Sequence, residues 1–160
     1  MTTRPSVARR APDRLPVLVA AHREALRSAA SAHHGPVFLA GKSMGGRVGC
    51  HVSLEEPAAG IIAFGYPLKA AGTGKLRDEV LVALRTPMLF LQGTRDPLCP
   101  TDRLAEVRER MTIRNVLHSV EGGDHSLLVR KADLARQGRT QEEVDRAVLG
   151  SIEAFVRDRI

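Results

Sequence analysis

The 160-residue sequence predicts an α/β fold, a three-layer α/β/α sandwich built on a mostly parallel sheet. Two observations carry this reading. Residues 37–41, 59–68, 86–93 and 113–120 are short stretches that are apolar almost throughout, as strands covered on both faces are. Between them stand segments of helical spacing or helical composition, so that strand and helix alternate along the chain. The composition agrees: 43% hydrophobic and 26% charged residues are the proportions of a globular chain, long enough for one domain with its own core. Aromatic residues make up only 3%, with no Trp, so that core is aliphatic.

Taken in order, residues 1–14 are polar and rich in Pro and Arg, a loosely held lead-in, and 15–160 form the single domain. "LPVLVAAHREALRSAASA" (15–32) has apolar residues at helical spacing, with Pro16 tolerated in the first turn. "HHGP" (33–36) stops it, Gly35 suiting a helix C-terminus. The strand "VFLAG" follows, then a sharp turn "KSMGG" and a helix "RVGCHVSLEE" (47–56). After Pro57 come the strand "AGIIAFGYPL", a Gly-rich loop (69–78) and a short helix "EVLVALR" (79–85). "TPMLFLQG" is the third strand, and Thr101 is placed to cap the helix 101–111 behind it. "IRNVLHSV" is the fourth strand. A polar segment leads to a long amphipathic helix over 140–160, opened by Thr140 and Glu143 at the spacing of a capping box.

A net charge of +6 raises the question of nucleic acid. The 24 basic residues, all Arg but Lys42, Lys69, Lys75 and Lys131, are spread along the chain and interleaved with acids, as on solvated helix faces. No nucleic-acid-binding motif accompanies them, so no nucleic-acid partner is expected. Two cysteines, Cys50 and Cys99, make no disulfide framework, and with His51 they lack zinc spacing, so neither metal nor cofactor is expected. There is no apolar signal region and no run of membrane-spanning length. A cytoplasmic setting without membrane association is the expectation.

The chemistry gathers at "GPVFLAGKSMGGRVGC" (35–50). A phosphate-cradling loop would need Gly where Pro36 stands, and strand residues fill its middle, so that reading fails on spacing. A dinucleotide fingerprint fails as well, since no Gly-x-Gly-x-x-Gly exists. Gly41-Lys42-Ser43-Met44-Gly45 instead fits a nucleophile elbow, in which a serine rides a strained strand-to-helix turn between small residues. The N–H of Met44 is then an oxyanion donor. Such a serine needs an acid and a base from later strand ends, in that order. Asp96 follows the third strand and His125 the fourth, at the strand ends where open α/β sheets place their sites. Singly, each has a plainer reading: Ser43 as a helix cap, Asp96 before Pro97 as a turn former, His125 as a loop histidine like His33 and His34. Jointly, in the required order, they make a Ser-His-Asp triad. Tyr66 either lines the pocket or belongs to the core.

These stretches resemble the α/β-hydrolases. More narrowly, they are similar to a small dienelactone-hydrolase-like group that includes testis-expressed and histone-acetyltransferase NSL-complex (KANSL-type) subunit homologues. The resemblance rests on "GPVFLAGKSMGGR", "GYPLK" (65–69), "KLRDEVL" (75–81), "PMLFLQGTRDPLC" (87–99) and "GGDHSL" (122–127). It implies a serine hydrolase cleaving an ester or thioester of a small acyl substrate, with Ser43 as nucleophile, His125 as base and Asp96 as its orienting carboxylate. It also implies that the chain is N-terminally truncated. About four strands of the fold are present, and the early strands, with the turn that gives the second oxyanion N–H, are missing. The nucleophile strand would then stand at a sheet edge, so that either the start is misassigned, or a second copy or another partner covers that edge, or the chain is unstable alone. Some members of the group act as scaffolds, so a catalytically weak or inactive interaction module is the alternative.

Overall fold

The computed structural model describes residues 13–159, so the lead-in expected over 1–14 lies, for residues 1–12, outside the described residues. Ten elements follow in chain order. They are α1 (Leu15–Ala32), β1 (Phe38–Lys42), α2 (Met44–Ser53), β2 (Gly60–Phe64), α3 (Glu79–Val82), β3 (Met88–Gly93), α4 (Thr101–Arg110), β4 (Asn115–Val120), α5 (Lys131–Gln137) and α6 (Gln141–Arg157). The four strands are parallel and stand in the order β1-β2-β3-β4. Lys42 is level with Phe64, Phe64 with Leu91, and Leu91 with His118. The loops that leave the four strands therefore open along one edge of the sheet.

Successive strand residues point to opposite faces, and the core divides accordingly. Ile61, Ala63, Met88 and Phe90 face Cys50 of α2, Leu81 of α3, and Leu104 and Val107 of α4. Ile62, Leu89 and Leu91 face Val144, Val148 and Phe155 of α6. α1 packs beside α2 through Val19 and Leu26 against Val48 and Val52. Each Val, Leu, Ile, Met or Phe side chain among these contributes about 1.5–3 kcal/mol on removal from water, against the entropy of ordering the chain. β3 is buried along its whole length, whereas β1, at an edge, is not. This is the expected α/β architecture, with a parallel sheet flanked by helices on both faces. Among the described residues no helix is long and apolar enough to cross a membrane.

Several boundaries differ from the sequence expectations, for local reasons. α2 starts at Met44, directly after Ser43, because the turn feeds the helix without an intervening loop. β2 ends at Phe64, where Gly65 takes a left-handed φ of 58°. α3 is one turn, 79–82, not the seven residues 79–85. Thr101 is already helical, and the capping position is Pro100, which has no side-chain donor or acceptor to offer. α1 ends at Ala32 with His33 extended, so Gly35 takes no part in its cap. α5 arises inside the segment read as merely polar; it buries no residue fully and ends on Gly138 in the left-handed conformation.

The start of α6 matches the sequence in detail. Thr140 Oγ1 accepts the Glu143 N–H at 3.2 Å, and Glu143 returns a carboxylate to the Thr140 N–H at 2.7 Å. That backbone donor holds the Glu143 carboxyl below its usual range. Thr140→Ala should cost about 1 kcal/mol, which in a chain of this size lowers Tm by about 2–4 °C. Scanning calorimetry checks this, and Thr140→Asp should restore most of the loss.

Candidate active site

Ser43 joins the end of β1 to the first residue of α2, with φ 52° and ψ −119°. A non-glycine residue pays for that backbone conformation, on the order of 1–3 kcal/mol, and holds it only where its surroundings over-determine it. Here they do. The Ser43 N–H donates to the Phe64 carbonyl at 2.9 Å, tying the turn to β2. Gly41 lies so close to the backbone of Gly45 and Gly46 that a Cβ would overlap both. Gly46, not Gly45, is the second glycine the packing demands: its missing Cβ would sit 3.1 Å from the Ala63 Cβ, whereas a Cβ on Gly45 would meet nothing. The small residues thus let helix and strand approach, and the serine side chain is raised at the sheet edge.

The structure brings the three residues of the expected triad together. Ser43 Oγ lies 2.8 Å from His125 Nε2, and His125 Nδ1 lies 2.7 Å from Asp96 Oδ2. A carboxylate only accepts, so Nδ1 carries the imidazole proton and Nε2 is free to accept the serine hydroxyl. The Asp96 side chain has no exposed surface, while that of His125 is one-quarter exposed, on the open side of the site. Asp124, the neighbour of His125, does not address the ring. Its carboxylate accepts the N–H groups of Ser126 (2.7 Å) and Leu128 (3.0 Å) and so folds the loop that carries the histidine. Gly65 makes room for that loop, since a Cβ there would overlap the His125 carbonyl oxygen.

Gln92, which the sequence reading passed over, holds the acid. Its amide donates to Asp96 Oδ2 at 2.6 Å and its carbonyl accepts the Tyr66 N–H at 2.9 Å, fixing which way the amide faces. The Leu98 N–H donates to the other carboxylate oxygen at 2.8 Å. The signal was present as the one polar side chain in the buried run "MLFLQG". Met44 is the first residue of α2, and its N–H belongs to the helix start, where donors have no partner within the helix. Beside the triad a cleft of about 360 Å³ is bounded by Ala40, Phe64 and Leu127, with His125 and Lys42 on its wall. Lys42 Nζ donates to Ser126 Oγ at 2.7 Å.

The remaining candidates lie elsewhere. Tyr66 is a core residue, fully buried and edge-on to Phe90 with ring centroids 6.0 Å apart. Burial pushes the thiols of Cys50 and Cys99 each up to about 12, so both stay protonated, and neither is a ready metal ligand. Among the described residues no group of three His, Cys, Asp or Glu side chains could hold a metal ion. His33 and His34 are exposed, away from the site.

Comparison with known proteins gives the same family as the geometry suggests. The sequence model of the alpha/beta hydrolase domain matches residues 1–157. Among solved structures, an alpha-beta serine hydrolase homologue from Coxiella burnetii superposes with a TM-score of 0.64 at 18% identity, over 98% of this chain and 66% of its own. The esterase domain of a Rhodothermus marinus protein gives 0.54 at 18%, over 68% and 60%. A zinc-bound cold-adapted esterase from an Arctic intertidal metagenomic library gives 0.57 at 18%, over 70% and 51%. At such identities the likeness is one of fold. The chain spans two thirds or less of the length of each of these structures.

Gln92→Leu should destabilise the protein by about 1.5–3 kcal/mol, the usual worth of a hydrogen bond to a buried charge. Urea unfolding measures it; a stability within a few tenths of the original would mean that Asp96 does not depend on the amide.

Proposed function

The chain belongs to the alpha/beta-hydrolase domain family, and on that premise we propose that it is a serine hydrolase cleaving an ester or thioester of a small acyl substrate. The observation that carries the proposal is the unbroken series of hydrogen bonds from Ser43 through His125 to Asp96.

In this reading the acyl carbonyl lies over Ser43, with the rest of the substrate in the neighbouring cleft. Ser43 Oγ attacks the carbonyl carbon while its proton passes to His125 Nε2. Asp96 accepts from Nδ1–H and stabilises the imidazolium that forms. The carbonyl oxygen, now negatively charged, faces the Met44 N–H and the positive end of α2. The imidazolium then gives its proton to the departing alcohol or thiol as the carbon–oxygen or carbon–sulfur bond breaks, leaving acyl-Ser43. Water attacks the acyl group with His125 again taking a proton, and the acid leaves with Ser43 restored. None of these steps requires a cofactor. Cys50 and Cys99, both free and buried, suit a reducing cytoplasmic setting, which we include in the proposal.

A fluorophosphonate probe with mass-spectrometric mapping tests this directly. Labelling should occur at Ser43 alone, and Ser43→Ala and His125→Ala should both abolish it. Absence of any adduct on the original chain would sink the hydrolase reading and leave an interaction module of hydrolase fold. Asp96→Asn leaves the shape of the site but allows the wrong imidazole tautomer. It should reduce turnover of a p-nitrophenyl acyl ester by about 10⁴-fold.

A further inference from the structure

A second cluster of polar side chains lies on α2, one turn beyond the nucleophile. Arg47 and His51, four residues apart, share a face of the helix with Leu54. Opposite them, across a cleft of about 250 Å³, stand Arg77 in the loop that precedes α3 and Glu79 and Val80 of α3 itself. The Nε of Arg47 and the Nε2 of His51 are both shut off from solvent, and neither has a hydrogen-bond partner. Buried polar groups are almost always satisfied, and those left without a partner call for an explanation.

The surrounding charges sharpen the point. Arg23 and Arg27 of α1 are matched by Glu55 and Glu56. Asp78, beside Arg77 in sequence, is taken by Arg110. Arg47 and Arg77 form no ion pair and no side-chain hydrogen bond among the described residues. Glu79 is the one carboxylate on the cleft wall, and it is exposed. Arg47, His51 and Arg77 therefore line one concavity with a single carboxylate on its wall.

We propose that this cleft binds a phosphate group, held by Arg47, His51 and Arg77. Guanidinium forks pair bidentately with phosphate oxygens, and a tetrahedral dianion presents acceptors in enough directions to serve three basic side chains that line the cleft from two elements. The state of His51 agrees. Burial, and then the like charge of Arg47, hold its pKa below the usual histidine value, with Glu55 opposing them. The charged groups around it are Arg47 on α2, Glu55 just beyond the end of α2, Arg77 on the loop and Glu79 on α3. A bound dianion offsets the Arg47 field and raises the His51 pKa, so phosphate uptake carries a proton with it.

The test is a titration of the full chain with inorganic phosphate, and separately with methyl phosphate, followed by the His51 ring signals in ¹H–¹⁵N spectra. A saturable shift is expected, with an upward move of the His51 pKa, and sodium chloride at matched ionic strength should not reproduce it. Arg47→Gln and Arg77→Gln should each weaken binding at least tenfold. Saturation by both probes admits a phosphate monoester as ligand, whereas saturation by inorganic phosphate alone assigns the site to the free ion. No saturable shift, an equal shift with chloride, or unchanged binding in both variants would overturn the proposal. Ser43→Ala should bind phosphate as the original chain does, which keeps this result separate from the fate of the hydrolase reading.

Discussion

A carboxylate withdrawn from water must be given donors, and the way Asp96 is supplied organises the whole upper edge of the sheet. Its two oxygens take one bond from the Gln92 amide, one from the Leu98 N–H and one from the His125 ring. Gln92 belongs to β3, His125 to the loop after β4, and the far side of the Gln92 amide is bonded to Tyr66 just beyond β2. A charge that would be very costly if left alone thus pins the ends of three strands to one another. His125 completes the set by reaching Ser43 at the end of β1. β1 and β2 end level with each other, β3 and β4 run two residues further, and the polar network closes across this register.

The strain at Ser43 belongs to the same arrangement. The rigid pairing of β1 with β2, the bond from Ser43 to Phe64 and the contact of Gly41 with the first turn of α2 leave the serine no ordinary conformation to relax into. The stability of the sheet is thereby converted into the position of one oxygen atom. His125 is held differently, in a loop shaped by Asp124 and by Leu127, whose φ is 64°. Neither residue could be positioned by its own segment alone.

Much of this was legible from the sequence, and the failures have physical reasons. The strands were readable because burial on both faces leaves runs such as "MLFLQG" nearly free of polar residues. The grouping of Ser43, Asp96 and His125 was readable because each sits just past such a run, and the Thr140–Glu143 cap because its partners are three residues apart. α5 was not, since a seven-residue helix with Leu134 as its chief core contact has too few apolar positions to show a period. Thr101 misled because a capping residue looks the same at the first helical position, and only the backbone distinguishes the two. Gln92 was overlooked because its partner Asp96 lies across a turn, so their contact has no sequence period. The relation of Arg47 and His51 to Arg77 is likewise tertiary. The comparisons reach the alpha/beta-hydrolase family; the narrower group expected from the motifs rests on those motifs.

The strand order β1-β2-β3-β4 has a temporal side. Each strand pairs with the one made just before it, so the sheet can grow outward in the order in which a ribosome would deliver it, with one helical crossover to close at each step. Ser43 and His125 are an exception, since 82 residues separate them, and His125 arrives after the last strand. The serine is lifted early, but its bond to His125 can be made only once the opposite edge of the sheet is in place. A chain halted before β4 would carry the turn without its histidine partner, so the hydrogen bond at that oxygen marks the completion of the sheet.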